Sequence, residues 1–235
     1  SNDIAVQPDK KIVAAGVAFT AAWNVEVKII RLLPDGSLDP DFGTGGIVTY
    51  TPPVMGYFEA HAMAVTLKDD GKIIVAGGVL NSSAIFDVLL IQLDEHGNYD
   101  NNFGDNGVSV VSLTNANDMA QDVIVNNEGK ILIAGTADNQ DFNIAPVVAR
   151  FNDNGSLDAL FGTNGFTAIA VEAIDNEFTS ICLQRDGKIV ASGHYSNVDW
   201  TYETLIARFT PGGLLDSQFG FGGIVKGDIN HSDDE

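Results

Sequence analysis

The chain repeats itself, and this constrains its fold more than any other property. A six-residue block, KIVAAG at Lys11–Gly16, returns as KIIVAG at Lys72–Gly77, KILIAG at Lys130–Gly135 and KIVASG at Lys188–Gly193. A second block follows each: PDGSLDPDFGTGGIV from Pro34, DEHGNYDNNFGDNGVSV from Asp94, NDNGSLDALFGTNGFTA from Asn152 and PGGLLDSQFGFGGIV from Pro211. From the Gly closing the first block to the Gly of Phe-Gly is 27 residues in every copy: 16 to 43, 77 to 104, 135 to 162 and 193 to 220. Residue 1 aligns with residues 62, 120 and 178, so the repeats run approximately 1–61, 62–119, 120–177 and 178–235 as one repeat domain. The three extra residues of the first copy fall near Pro52, Pro53 and Gly56. A period of this length marks an array of stacked supersecondary units.

Each unit reads as four strands. The first is Ile4–Gln7, with equivalents Val65–Lys68, Val123–Asn126 and Ile181–Gln184. A polar turn such as Asp70-Gly71-Lys72 or Asp186-Gly187-Lys188 follows and signals a hairpin. The KIxxAG block is the second strand. The third is Val27–Leu32, Val88–Leu93, Val147–Phe151 and Leu205–Phe209, and a short fourth starts at Ile47, Val108, Phe166 and Ile224. No stretch sustains a 3.6-residue apolar period, so helix is expected to be nearly absent.

The first and third strands carry apolar residues at consecutive positions, which suits strands covered on both faces. Antiparallel four-stranded sheets stacked face to face are the blades of a β-propeller. The expected fold is therefore all-β: a β-propeller of four tandem four-stranded antiparallel blades, as a closed four-bladed ring or a segment of a larger propeller. Two β-sandwiches are the alternative, and they would not require fourfold repetition.

The second block, best preserved over Arg150–Phe166, together with the DGKIxxAG pattern at Asp186–Gly193, resembles the bacterial delta-60 repeat family. The resemblance spans essentially the whole chain. The second copy departs most, with Gln92 in place of Arg and His96, Asn98 and Tyr99 in the turn. The resemblance implies a β-propeller module without assigned enzymatic activity, in large and mostly extracytoplasmic bacterial proteins. It implies an extracellular or cell-surface location, and partners that are other repeats or domains of a larger surface protein.

Composition narrows the partners. With 32 acidic against 12 basic residues the net charge is −20, which disfavours nucleic acid and anionic lipid, since both require Lys and Arg. The 45% apolar content is too high for a disordered acidic chain. The apolar runs are far shorter than the ~20 residues of a membrane span, and a single cysteine, Cys182, makes no disulfide framework. The chain opens on Ser1 rather than Met and shows no signal peptide, so a processed or excised piece is expected.

The recurring residues read as structure. Asp39, Asp100, Asp158 and Asp216 stand three residues before Phe in each copy. Calcium binding is the alternative role for them, although the loop register disfavours it. Arg31, Gln92 and Arg150 fall on the first ligand position of such a loop, and a cation does not ligate a cation. Each Asp is expected to accept turn N–H groups and to pair with Arg31, Arg150 or Arg208, with Gln92 breaking the pair in the second copy. No cofactor is expected, and no metal site. Phe42-Gly43, Phe103-Gly104, Phe161-Gly162 and Phe219-Gly220 read as wedges between blades, with the Gly allowing a sharp turn. The Gly-rich Phe42–Gly46 is not a phosphate cradle, lacking a following helix and a suitably spaced Lys.

Distinctive chemistry is sought where the copies differ. His61, His96, His194 and His231 fall at unrelated offsets, and Cys182 replaces Ala5, Thr66 and Ile124, which reads as a buried small hydrophobe. Trp23 and Trp200 both lie seven residues after the block-ending Gly, where Phe142 stands in the third copy. With Tyr202 these residues form a candidate ligand-binding face, suited to stacking on glycans if the first and fourth blades are ring neighbours. The alternative is that they cover blade ends. A channel enzyme would draw on Asp3, Asp122 and Ser180. The leading expectation is a non-catalytic secreted or cell-surface module serving as scaffold, adhesin component or interaction domain. A carbohydrate- or ligand-binding propeller comes second and a hydrolase third.

Overall fold

The structure, a computed structural model, describes residues 1–21, 23–52, 57–138, 144–171, 175–196 and 201–227. Sixteen strands and no helix occur among them. The first repeat holds β1 (Asp3–Val6), β2 (Ile12–Phe19), β3 (Val25–Leu32) and β4 (Ile47–Tyr50). The second holds β5 (Tyr57–Leu67), β6 (Ile73–Asn81), β7 (Phe86–Leu93) and β8 (Val108–Val111). The third holds β9 (Asp118–Val125), β10 (Ile131–Asp138), β11 (Ile144–Phe151) and β12 (Phe166–Ala168); the fourth holds β13 (Asn176–Leu183), β14 (Ile189–Ser196), β15 (Tyr202–Phe209) and β16 (Ile224–Gly227). Every repeat is an antiparallel meander in sequence order. One parallel bridge, Val25 to Glu59, joins the first two sheets. Among the described residues no helix is long and apolar enough to cross a membrane.

The first strands of the last three repeats begin earlier than the apolar runs suggest, because each contains a β-bulge. Pairing skips Met63, Gln121 and Thr179, between Ala62 and Ala64, Ala120 and Asp122, and Phe178 and Ser180. The bulge explains the glycine that closes KIxxAG. A Cβ on Gly77, Gly135 or Gly193 would lie 1.9–2.0 Å from the carbonyl oxygen of His61, Met119 or Glu177 across the rung. An extra residue on one strand pushes its backbone into the facing position. Only Gly leaves room.

Two compact units form. The first comprises Ser1–Ser112 with Asp153–Ser156, and the second Leu113–Asn152 with Leu157–Glu235. In the first unit, Val13, Ala15, Val27, Ile29 and Val48 of the first repeat pack against Val65, Ile73, Val75, Ile91 and Leu93 of the second. In the second unit, Leu132, Ala134 and Val148 pack against Ile181, Ile189, Ala191, Ala207 and Phe209. β7 is buried almost throughout, whereas β3 and β15 alternate buried and half-buried residues.

Candidate functional site

The four aspartates hold one end of each repeat together, and the lysine of KIxxAG is part of the same group. Asp39 Oδ2 accepts from Arg31 Nε at 2.8 Å and lies 3.1 Å from Lys11 Nζ. Asp158 meets Arg150 at 2.9 Å and Lys130 at 3.0 Å, and Asp216 meets Arg208 at 2.8 Å and Lys188 at 3.0 Å. The other oxygen of each accepts a turn N–H, from Asp41, Leu160 and Gln218. Gln92 does not break the arrangement: its Nε2 donates to Asp100 Oδ2 at 2.7 Å, and Lys72 stands 3.0 Å away. An amide replaces one of two cations while keeping the donor. Buried Lys68 in turn donates to Gln92 Oε1 and pairs with Asp153.

These contacts hold the carboxyls below their ordinary range. The Asn102 N–H and Lys72, with Gln92, bring Asp100 down to about 2. Burial opposes the shift at Asp39 and Asp158, but the Asp41 N–H, Lys11 and Arg31 outweigh it at the first, and Lys130, the Leu160 N–H and Arg150 at the second. Lys188, the Gln218 N–H and Arg208 lower Asp216. Both oxygens of each Asp are thus engaged. Among the described residues no three His, Cys, Asp or Glu side chains converge to hold a metal.

The phenylalanines act as wedges. Phe42, Phe103 and Phe161 are fully buried. Each lies so close to the turn glycine of the following repeat, Gly97, Gly155 or Gly213, that a Cβ there would come within 2.8–2.9 Å of the ring. The next backbone N–H makes the accompanying hydrogen bond: Gly43 to His96 O (2.8 Å), Gly104 to Asn154 O (2.9 Å) and Gly162 to Gly212 O (2.8 Å). The Arg31, Arg150 and Arg208 guanidinium groups stack on Phe42, Phe161 and Phe219 at 4.5–4.7 Å. Phe219 is only half-buried.

A different chemistry occupies the other end of the fourth repeat. Glu177 on β13 accepts from Gln121 Nε2 at 3.1 Å and lies 3.9 Å from His194 Nδ1 on β14. The His194 ring meets Tyr202 of β15 edge-on, 4.6 Å between centroids. Tyr202 in turn donates its hydroxyl to Asp175 Oδ2 at 3.0 Å. Lys226 Nζ sits 4.6 Å over the Tyr195 ring. All of these are half-buried except Lys226, which is exposed. Two carboxylates, an imidazole, an amide and the Tyr202 phenol thus share one solvent-reachable cluster, while Tyr195 and Lys226 lie on the opposite face of the sheet. The second repeat carries a simpler version, with His61 Nε2 3.4 Å from Glu59 and edge-on to Phe86 at 5.5 Å.

Of the residues expected to bind ligand, Tyr202 lies in this cluster. Trp23, in the first unit, is 82% exposed at the tip of a turn with φ +64°. Phe142 and Trp200 lie outside the described residues, as does His231. Glu177 and His194 were not singled out by the sequence. His61 and His194 have unrelated offsets because they reach one rung from opposite strands: His61 pairs with Gly78, and His194 with Glu177.

Asp3 and Asp122, the acids a channel enzyme would draw on, are taken up by backbone N–H groups and Ser180. Asp3 accepts from Ile4 and Val65 N–H, and Asp122 from Val123 and Ile181 N–H and from Ser180. Cys182 corrects its expectation, being exposed. Ala5 packs partly against the next repeat, whereas no described residue covers the Cys182 position to the same degree. A further cleft of about 650 Å³ in the second unit opens at the turn end, lined by Asn126, Glu128, Arg150, Gln184, Arg185 and Pro211 among others.

Three segments, 7–42, 128–161 and 184–219, match the family described as "Domain of unknown function (DUF5122) beta-propeller". Three of the four repeats are thus similar to β-propeller repeats. Each matched segment runs from a first-strand end to the Asp–Phe turn, and the equivalent part of the second blade, which carries Gln92, is outside them. No curated protein matches the chain. Among solved structures, an exo-1,5-α-L-arabinanase from a bovine ruminal metagenomic library is similar in fold, with TM-score 0.50 and 13% identity over 96% of this chain and 76% of that one. A GH43_12 protein retrieved from capybara gut metagenome aligns with TM-score 0.47 and 8% identity over 97% of this chain and 41% of that one.

This comparison corrects the expectation of a non-catalytic scaffold, adhesin component or interaction domain. A solved protein of similar all-β fold is an arabinanase, so blades without a linear catalytic motif are no ground for setting an enzyme aside. Such a site can be assembled from side chains of separate strands, which motif spacing cannot register.

Proposed function

We propose that this propeller recognises carbohydrate at the loop end of its fourth blade, and that the Glu177–His194–Tyr202 cluster is the site. The observation that carries this reading is the chain of contacts linking Gln121, Glu177, His194, Tyr202 and Asp175 at solvent-reachable positions. Sugar hydroxyls both donate and accept, so carboxylates and amides suit them, while phenol and imidazole rings offer apolar faces for sugar C–H groups. The fold likeness to an arabinanase supports arabino-oligosaccharides as the first ligands to try. A bacterial cell-surface or extracellular location, carried by the delta-60 resemblance, suits the same role.

Hydrolysis is the second reading, favoured by two carboxylates in one cluster. Glycoside cleavage uses one carboxylic acid to protonate the leaving oxygen and a second carboxylate as base or nucleophile. Asp175 and Glu177 are the pair available, the first tied to Tyr202 and the second to His194 and Gln121.

Calorimetric titration with arabino-oligosaccharides, alongside reducing-sugar release, tests both. Binding that weakens at least tenfold in Glu177→Gln and Tyr202→Ala supports the site, and sugar release abolished by Glu177→Gln adds catalysis. Binding lost in Arg185→Ala but retained in Glu177→Gln would move the site to the turn-end cleft. No binding across a glycan array overturns the reading.

A further inference from the structure

Each blade has two apolar faces, a leading one toward the following repeat and a trailing one toward the preceding repeat. Within the first unit the leading face of blade one covers the trailing face of blade two, and within the second unit blade three covers blade four in the same way. Within its own unit, and among the described residues, the trailing face of blade one has no such cover. Ile4 and Val6 are 58% and 62% exposed, while Val65 and Ile181, which align with Ile4, are each 5% exposed. Ile12, Ile30, Leu32 and Ile47 continue this apolar face and are half-buried or exposed. The leading face of blade four likewise has no blade packed on it within its own unit among the described residues. Val225 is exposed where its equivalent Val48 is buried, and Cys182 is exposed where Ala5 is partly covered.

The open faces carry the two halves of one lock. Three times in the chain a Phe ring seats on a turn glycine and the adjoining Gly N–H donates to the neighbouring turn carbonyl. Phe219 is the fourth ring, half-exposed, and Gly220 N–H has no turn carbonyl as acceptor among the described residues. Gly36 is the fourth turn glycine, and nothing lies within 4 Å of the space its Cβ would occupy. Ring and seat are both present, in the backbone geometry of the filled pairs: Gly220 has φ +52° against +51° to +53° at Gly43, Gly104 and Gly162, and Gly36 has +86° against +79° to +87° at Gly97, Gly155 and Gly213.

We propose that this chain associates head to tail with a second copy, the leading face of blade four docking on the trailing face of blade one of its partner. Phe219 enters the Gly36 turn, and Gly220 N–H donates to the carbonyl of Asp35, the counterpart of His96, Asn154 and Gly212. The occupant follows from continuity with the interfaces already described. The same residue types fill the same positions, and a blade of this repeat is the surface whose shape and hydrogen bonds match both ends. Such a contact is heterologous, joining unlike patches, so it propagates or closes into a ring of copies.

Sedimentation velocity over a concentration series tests this, with a complementation arm. The intact chain should form dimers and larger species as concentration rises. Ile4→Glu spoils only the trailing face, and Val225→Glu only the leading face. Each variant alone should remain monomeric, with circular dichroism and melting unchanged because both positions are exposed. Mixed in equal amounts they should form a dimer and nothing larger, since each keeps the half that the other lacks. Phe219→Ala should substitute for Val225→Glu in the mixture. A chain that stays monomeric at hundreds of micromolar overturns the proposal, whether its faces meet each other or another partner. Dimers that neither variant disrupts, or variants that do not complement, also overturn it.

Discussion

The two ends of a blade obey different rules. At the turn end, four copies repeat one arrangement of Asp, Lys, a guanidinium or amide donor, Phe and turn glycine, with ion-pair distances of 2.8–3.1 Å throughout. At the loop end, the aligned positions hold Phe86, Ile144 and Tyr202, or Gly78, Thr136 and His194. A group that recurs in every blade serves what every blade must do, which is to dock on the next. A group that varies between blades is free to serve a ligand. Repetition therefore locates the stability of this protein, and divergence locates the proposed site.

The sharpest way to break the comparison is at the bulge. Gly135→Ala or Gly193→Ala forces a Cβ to within 2.0 Å of a backbone carbonyl, and urea unfolding should show a loss of about 4 kcal/mol or outright failure to fold. Gly71→Ala, where nothing lies within 4 Å but φ is +86°, should cost only the left-handed strain, ~1–2 kcal/mol.

Next in size is the wedge. Phe161→Ala removes a fully buried ring and should cost about 3–5 kcal/mol. The same change at half-exposed Phe219 should cost roughly 1 kcal/mol at concentrations where the chain is monomeric. Equal losses at the two sites would show that Phe219 is as enclosed as the other three.

Acid separates the ends further. The four aspartates titrate below their ordinary value of 3.8 when folded, Asp100 at about 2. A depressed carboxylate stabilises the fold above its unfolded pKa, and that contribution disappears as pH falls through the folded value. Melting temperature should therefore hold steady down to about pH 4 and drop between there and about pH 2. Asp100→Asn should flatten part of that drop.

The smallest stability effects are expected at the loop end. His194→Ala and Glu177→Gln should change stability by less than about 1 kcal/mol, while glycan binding falls at least tenfold. A large loss of stability with unchanged binding would make the cluster another piece of the scaffold.

Much of the turn end was legible in the sequence. Asp39, Phe42 and their equivalents stand at constant spacing from Arg31 and its counterparts, and contacts within one repeat are short-range, so linear spacing reports them. The expected role of Gln92 was wrong because charge was considered without donor geometry: an amide reaches the carboxylate as a guanidinium does. The loop end was nearly opaque. Glu177 meets His194 only through a cross-strand register that a bulge has shifted by one residue, and no linear pattern states where pairing skips. The lack of a catalytic motif was no guide for the same reason, since any site drawn from separate strands would leave none.

By itself the sequence determined the period, the four-stranded unit, the hairpin turns and the wedge, because each depends on residue type and local spacing. Only the tertiary structure decided which apolar face has a neighbour. Ile4 and Ile181 are the same residue at the same place in the repeat, one exposed and the other buried. What separates them is whether a preceding blade is there to exclude water, and hydrophobic burial is a property of the pair of surfaces, not of the residue.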